Sequence, residues 1–304
     1  MKLKFFTGIF LALAFVACDE DETKEPETMD TAPNVVGMNF LKSAQSFDET
    51  YAVLKASLEA NENIKIVAEV DHAANGASAE LELNPTKIIF FGNPNLGTPL
   101  MQANQQVGLD LPQRILVYQN ENEEVYVGYN STVYLSNRHT LGDVPTLPTI
   151  AGALKNLSEN AGMAQITEQV SDVEADYNVL TVASTRTFDD TYNNIMSVIN
   201  DNPNLTLVVE LDHQANAANV ELELLPTKVI IFGNPQLGTP LMQNSQTTAL
   251  DLPQKILVYE NAAGEVSIAF NSPELLRSRH GITGSDATLE TILAALQGIA
   301  TSSN

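Results

Sequence analysis

Apolar residues along this chain switch between two spacings. Phe47, Tyr51, Leu54 and Leu58 recur three or four residues apart, as do Phe188, Tyr192, Ile195 and Ile199, and each set marks the buried face of a helix. Ser46-Phe47-Asp48-Glu49 supplies a capping box in front of the first helix, and Thr187-Phe188-Asp189-Asp190 supplies its acidic variant in front of the second. Next, Ile64, Ile66, Ala68 and Val70 alternate with polar or small residues, and Leu205, Leu207, Val209 and Leu211 do the same, which predicts a half-buried strand in each place. Leu81 with Leu83, KIIFF from Lys87 and RILVY from Arg114 follow as further strands. A short polar turn joins RILVY to VYVGY at Val125. The corresponding later turn, NAAGE, holds a glycine where a hairpin favours one, whereas NENEE does not. Thr98-Pro99, Thr239-Pro240 and Ser272-Pro273 have the pattern of an N-cap followed by a first helical residue, and Ser131 is a further cap. The order of strand, helix, largely antiparallel strands and closing helices predicts an α+β fold with helices packed on one sheet face.

The pattern occurs twice. An offset of 141 residues holds without a gap from Phe47/Phe188 to His139/His280, and 50 of those 93 positions are identical, which identifies two copies of one domain rather than a solenoid. The division expected is 1–17 signal peptide, 18–34 acidic flexible tether, 35–168 first repeat and 169–304 second repeat, with the boundary in the polar stretch around Glu168 to Glu174. The first helix has diverged between copies while DH, PTK, FGNP, GTPLM, LDLP and RH have not. Turn geometry, a site or an interface between the copies would each impose that restraint. Tandem linkage favours intramolecular pairing of the repeats as a pseudo-dimer.

The ends and the charge add a location. Lys2 and Lys4 precede an apolar run from Phe5 to Ala17, too short to span a bilayer, and FVAC ending at Cys18 resembles a lipobox. Cys18, the chain's one cysteine, is then the lipid attachment residue, and the protein an exported lipoprotein held to the membrane by that lipid. The acidic residues directly after it favour the outer membrane or cell surface. With 38 acidic residues against 15 basic, a net charge of −23 argues against nucleic acid as a partner.

DHxANxA, FGNPxxGTPLM, LDLP and RH, in this order and spacing in both copies, resemble the domain of unknown function 302 family of bacteria and archaea. The resemblance implies a domain with a topology similar to the TATA-box-binding-protein-like α+β fold, occurring singly or in tandem. It implies no activity and no cofactor.

All four histidines are two positions duplicated: His72/His213 and His139/His280. Strand alternation from Val70 turns His72 inward and Asp71 outward, and helical spacing from Leu135 turns His139 inward. The histidines are therefore structural, or they line a pocket at the sheet rim, or they hold a metal together with Asp71, Asp110 or Glu80. No metal-ligand motif and no cofactor motif supports the last choice. The FGNPxxGTPL loop opens a second possibility. Asn93, Thr98 and their equivalents Asn234 and Thr239 lie at a helix start that favours an anion, with Lys87, Arg138, Lys228 and Arg279 to neutralise it; equally, the loop shapes a tight crossover. These twelve residues are the candidate ligand-binding set. The function they suggest is binding of a small molecule or a protein partner; a small hydrolase or metal-dependent enzyme using the paired histidines, and a purely structural tandem module, are the alternatives.

Overall fold

A computed structural model describes residues 32–302. The signal peptide, Cys18 and most of the expected tether lie outside the described residues. The first repeat runs β1 (Met38–Lys42), α1 (Phe47–Glu59), β2 (Lys65–Asp71), α2 (His72–Ser78), β3 (Thr86–Gly92) and α3 (Pro94–Ala103). A 3₁₀ turn (Gln105–Leu109), β4 (Gln113–Gln119), β5 (Val125–Asn130), α4 (Thr132–His139) and α5 (Leu147–Gly162) complete it. The second repeats this order with β6 (Val179–Ser184), α6 (Phe188–Asp201), β7 (Thr206–Asp212), α7 (His213–Ala218), β8 (Thr227–Gly233) and α8 (Pro235–Asn244). It ends with a 3₁₀ turn (Gln246–Leu250), β9 (Gln254–Glu260), β10 (Val266–Asn271), α9 (Pro273–His280) and α10 (Asp286–Ser302). Each repeat builds one five-stranded antiparallel sheet, in the orders β1-β5-β4-β3-β2 and β6-β10-β9-β8-β7.

The amphipathic spacing of α1 and α5 explains one face of the first sheet. Leu54 and Leu58 from α1 and Ile150 and Leu154 from α5 share a core with Ile89, Phe91, Ile115, Val117 and Val127. The capping box at Ser46 is made in full, and Thr187 accepts the Asp190 backbone N–H and donates to its carboxylate. β3 and β4 do not alternate, because both their faces are buried: Ile88 and Leu116 are as inaccessible as Ile89 and Ile115.

The other repeat supplies that second cover. Leu109, at the end of the first repeat's 3₁₀ turn, is wholly buried against Val229, Leu257 and Ala269 of the second sheet. Two glutamines pin the arrangement reciprocally. Gln105 donates to Thr227 Oγ1 at 2.9 Å and the Glu260 carbonyl at 3.0 Å; Gln246 donates to Thr86 Oγ1 at 2.7 Å and the Gln119 carbonyl at 3.0 Å. Residues from Pro33 onward pack as one compact unit.

Three local expectations need correction. Leu81 and Leu83 do not form a strand. Glu80 turns the chain at φ 59°, and the Glu82 carbonyl accepts from Gln243 of the other repeat at 2.6 Å instead of joining the sheet. Thr98 and Thr239 are not caps. α3 and α8 begin four residues earlier, at Pro94 and Pro235, and Asn93 and Asn234 cap them by accepting the backbone N–H two residues on. The first proline of FGNP is thus the N1 residue, and Thr98 and Thr239 face inward from the helix interior. Finally, two short helices, α2 and α7, follow directly on β2 and β7, where Asp71 and Asp212 act as their caps.

Candidate functional site: two pockets shared between the repeats

Strand alternation gives the inward direction of His72 and His213, but the short α2 and α7 helices carry them away from their own repeat's core. Each histidine is buried in a cavity whose other walls belong mainly to the opposite repeat. A pocket of about 240 Å³ lies between β2, β3, α3 and α5 of the first repeat and is bordered on its other side by Val209, Glu210, Leu211, His213 and Asn216 of the second. Its counterpart, about 160 Å³, lies in the second repeat and is closed by His72 and Asn75. Equivalent residues line both, with Phe91/Phe232, Leu96/Leu237 and Met101/Met242 giving an apolar wall.

Some polar groups in these walls are satisfied, Asn93 and Asn234 by capping their helices and Glu210 by the Tyr192 hydroxyl, but three in each cavity are not. In the first cavity Thr98 Oγ1, Gln113 Nε2 and His213 Nε2 are buried with no hydrogen-bond partner among the described residues; in the second, Thr239 Oγ1, Gln254 Nε2 and His72 Nε2 are. Leaving such an atom buried and unpaired costs about 1–3 kcal/mol, and the same three positions carry that cost in both repeats. Burial pushes both histidines down to about 4, which keeps them neutral at ordinary pH. The His213 ring bonds the Gly108 carbonyl, and the His72 ring those of Leu252 and Ala249, all across the interface. Since Nε2 is the unpartnered nitrogen in both, the bond to these carbonyls falls to Nδ1–H, and Nε2 is left an acceptor.

The second histidine pair is elsewhere. His139 and Arg138 lie buried on α4, with His139 Nε2 2.7 Å and Arg138 Nη1 2.6 Å from Asp110 Oδ2. His280 Nε2 and Arg279 Nη1 meet Asp251 Oδ2 at 2.9 and 2.7 Å. Both arginines then cross the interface: Arg138 donates to Asn271 Oδ1 and Arg279 to Asn130 Oδ1, each at 2.7 Å. Arg114 breaks the symmetry by bridging both carboxylates, Asp110 Oδ1 at 3.1 Å and Asp251 Oδ1 at 2.9 Å. These guanidinium groups, with the histidines, hold both aspartates well below the usual carboxylate range despite burial. Burial also lowers His139 and His280, against the opposing pull of the aspartates. Lys255, at the position equivalent to Arg114, is buried with no hydrogen bond to its Nζ, and desolvation pushes it down to about 7. Three guanidinium groups already face two carboxylates, so a further cation there has nothing left to neutralise.

The candidate set therefore divides. His72, Asn93 and Thr98, with His213, Asn234 and Thr239, line the two cavities. Arg138, His139, Arg279 and His280 belong to the buried interface network, so His72 and His139 share no site. Lys87 and Lys228 pair at 3.3 Å with Asp71 and Asp212, the caps of α2 and α7, and lie over the rings of Tyr51 and Tyr192 at 5.3 and 4.7 Å. The proposed anion clamp of Lys87 with Arg138 does not assemble, because Arg138 is consumed by Asp110 and Asn271. Asp71 is committed to capping and Asp110 to its arginines, and among the described residues no group of three or more His, Cys, Asp or Glu is placed to hold a metal ion. Gln113 and Gln254 escaped the sequence reading, although the retained LDLPQ in both copies carried the signal.

Two α+β repeats that exchange cavity-closing histidines define a tandem, internally paired module. A family model described as "Domain of unknown function DUF302" matches residues 40–161 and 180–299, and the chain belongs to that family. Two curated relatives, each named "Fluoride-specific ion channel FluC 1", from Brucella suis biovar 1 (strain 1330) and Brucella abortus biovar 1 (strain 9-941), are 37% identical over 106 residues. That covers 35% of this chain and 41% and 39% of theirs, so the chain spans about two fifths of their length. A solved structure described as an uncharacterized conserved DUF302 protein from Bacillus stearothermophilus is similar at 15% identity with a TM-score of 0.38, covering 42% of this chain and 98% of that one.

Proposed function

We propose that this protein is a non-catalytic binding module that takes one small molecule into each of its two shared pockets, and that Cys18 anchors it by lipid to the bacterial envelope, at the outer membrane or cell surface. The observation that supports binding is the repeated trio of unpartnered polar atoms, Thr98/Gln113/His213 and Thr239/Gln254/His72, in two otherwise apolar cavities. Because each pocket is closed by a histidine from the other repeat, binding and pairing reinforce one another. The expected charge of the surface keeps nucleic acid away.

Native mass spectrometry of the full chain, purified in detergent from its own host, tests the reading. Two bound molecules are expected on the parent. Ala153→Trp and Ala295→Trp, which fill the cavities from partly or fully exposed helix positions, should each remove one, and the double variant both. Bound mass that survives the double variant places the ligand elsewhere.

A further inference from the structure

A ligand for these pockets must complete what the walls leave open, and the three unpartnered atoms differ in what they require. Gln113 Nε2 can only donate. His213 Nε2 can only accept, because the Gly108 carbonyl holds the ring's proton on Nδ1. Thr98 Oγ1 does either. The second pocket repeats these demands through Gln254, His72 and Thr239. One group must therefore both give and receive a hydrogen bond.

Charge narrows the choice. Lys65 and Glu210 are the charged residues lining the first pocket; both are exposed, and the second pocket has Thr206 in place of Lys65 and no carboxylate. An anion would meet no buried cation in either. A carboxylate could not donate to the histidine, and an ammonium could not accept from the glutamine. A lone water could satisfy the trio but would leave the apolar walls unfilled. A dry cavity of about 150 Å³ accommodates benzene, so cavities of about 160 and 240 Å³ have room for one ring or its aliphatic equivalent.

We infer that each pocket takes an uncharged molecule with an apolar body and one hydroxyl group, whose oxygen accepts from glutamine while its proton goes to the histidine Nε2. This rests on the binding function proposed above and names its ligand class. Threonine adds the third contact and fixes the oxygen's position.

Calorimetric titration of the full chain with phenol, anisole and toluene tests it. The three probes share a ring; phenol alone donates, and toluene neither donates nor accepts. Phenol is expected to bind at two sites, about 10-fold or more tighter than anisole or toluene. Thr98→Val with Thr239→Val should weaken phenol about 5- to 10-fold and leave toluene unchanged, while the serine replacements at both positions restore the preference. Equal binding of all three probes would overturn the hydroxyl assignment and leave the pockets as binding sites. Failure of all three to bind would overturn both.

Discussion

Arg138 of the first repeat and Asn271 of the second form a buried hydrogen bond of 2.7 Å, and the same guanidinium holds Asp110 at 2.6 Å. Its loss would leave Asp110 with less compensation for a buried charge and Asn271 with an empty acceptor. Arg138→Met is expected to cost about 3–5 kcal/mol, read as a lower urea midpoint, with both repeats unfolding in one transition. Two separated transitions in the parent would mean that the repeats are energetically independent.

Lys255 gives the opposite sign. It is buried, has no hydrogen-bond partner among the described residues, and sits among more positive than negative groups. Lys255→Met should raise the melting temperature, by the equivalent of about 1–3 kcal/mol at neutral pH. The folded lysine loses its proton near 7 and the unfolded one near 10.5, so the unfolded chain holds more protons between those values. Parent stability therefore gains a contribution as pH rises from about 7 to 10.5, and the methionine variant should lack it.

The pocket histidines act in the acid range. His72 and His213 titrate near 4 when folded and near 6.5 when unfolded, so the unfolded state binds more protons in between. Stability should be full above about pH 6.5 and fall as pH drops to 4, by up to roughly 3 kcal/mol for each histidine. His139 and His280, also lowered, add to the loss in the same direction. Comparing urea midpoints at pH 7 and pH 4.5 for the parent and for His72→Gln with His213→Gln checks this; the double variant should show a shallower decline.

One hairpin carries a correctable strain. Gly264 in the second repeat turns at φ 79°, and Glu123 occupies the same place in the first at φ 62°. A side chain in that conformation costs roughly 1 kcal/mol, so Glu123→Gly should stabilise by about that amount, measurable as a rise of a few degrees or less in melting temperature.

Much of this architecture was legible because it obeys local rules. Ser46 and Thr187 announced their helices through capping chemistry, and Phe47 to Leu58 announced a face through spacing. The duplication exposed the restrained positions. Part of what failed had its cause across the interface: Leu81 and Leu83 look like a strand, but the Glu82 carbonyl is claimed by Gln243. Thr98 resembled a cap because Pro99 follows it, while Asn93-Pro94 offered the same signature earlier. The inward direction of His72 was readable; the repeat it points into was not, since periodicity describes one element and a cavity needs two. The sequence put Arg138 with the anion loop and His139 with His72, yet both serve Asp110, itself held in the retained LDLP segment. Two repeats with separate sites would have had no use for that network.

The dependence of each pocket on both repeats can be tested by cutting the chain between them. A protease site placed at Glu174–Ala175, which are exposed and lie between the last helix of the first repeat and the first strand of the second, would separate the halves covalently. Light scattering after size exclusion should then return the mass of the whole chain, held by the Gln105, Gln246, Arg138 and Arg279 contacts. Two species of half the mass would contradict the account, since neither half could then close its pocket.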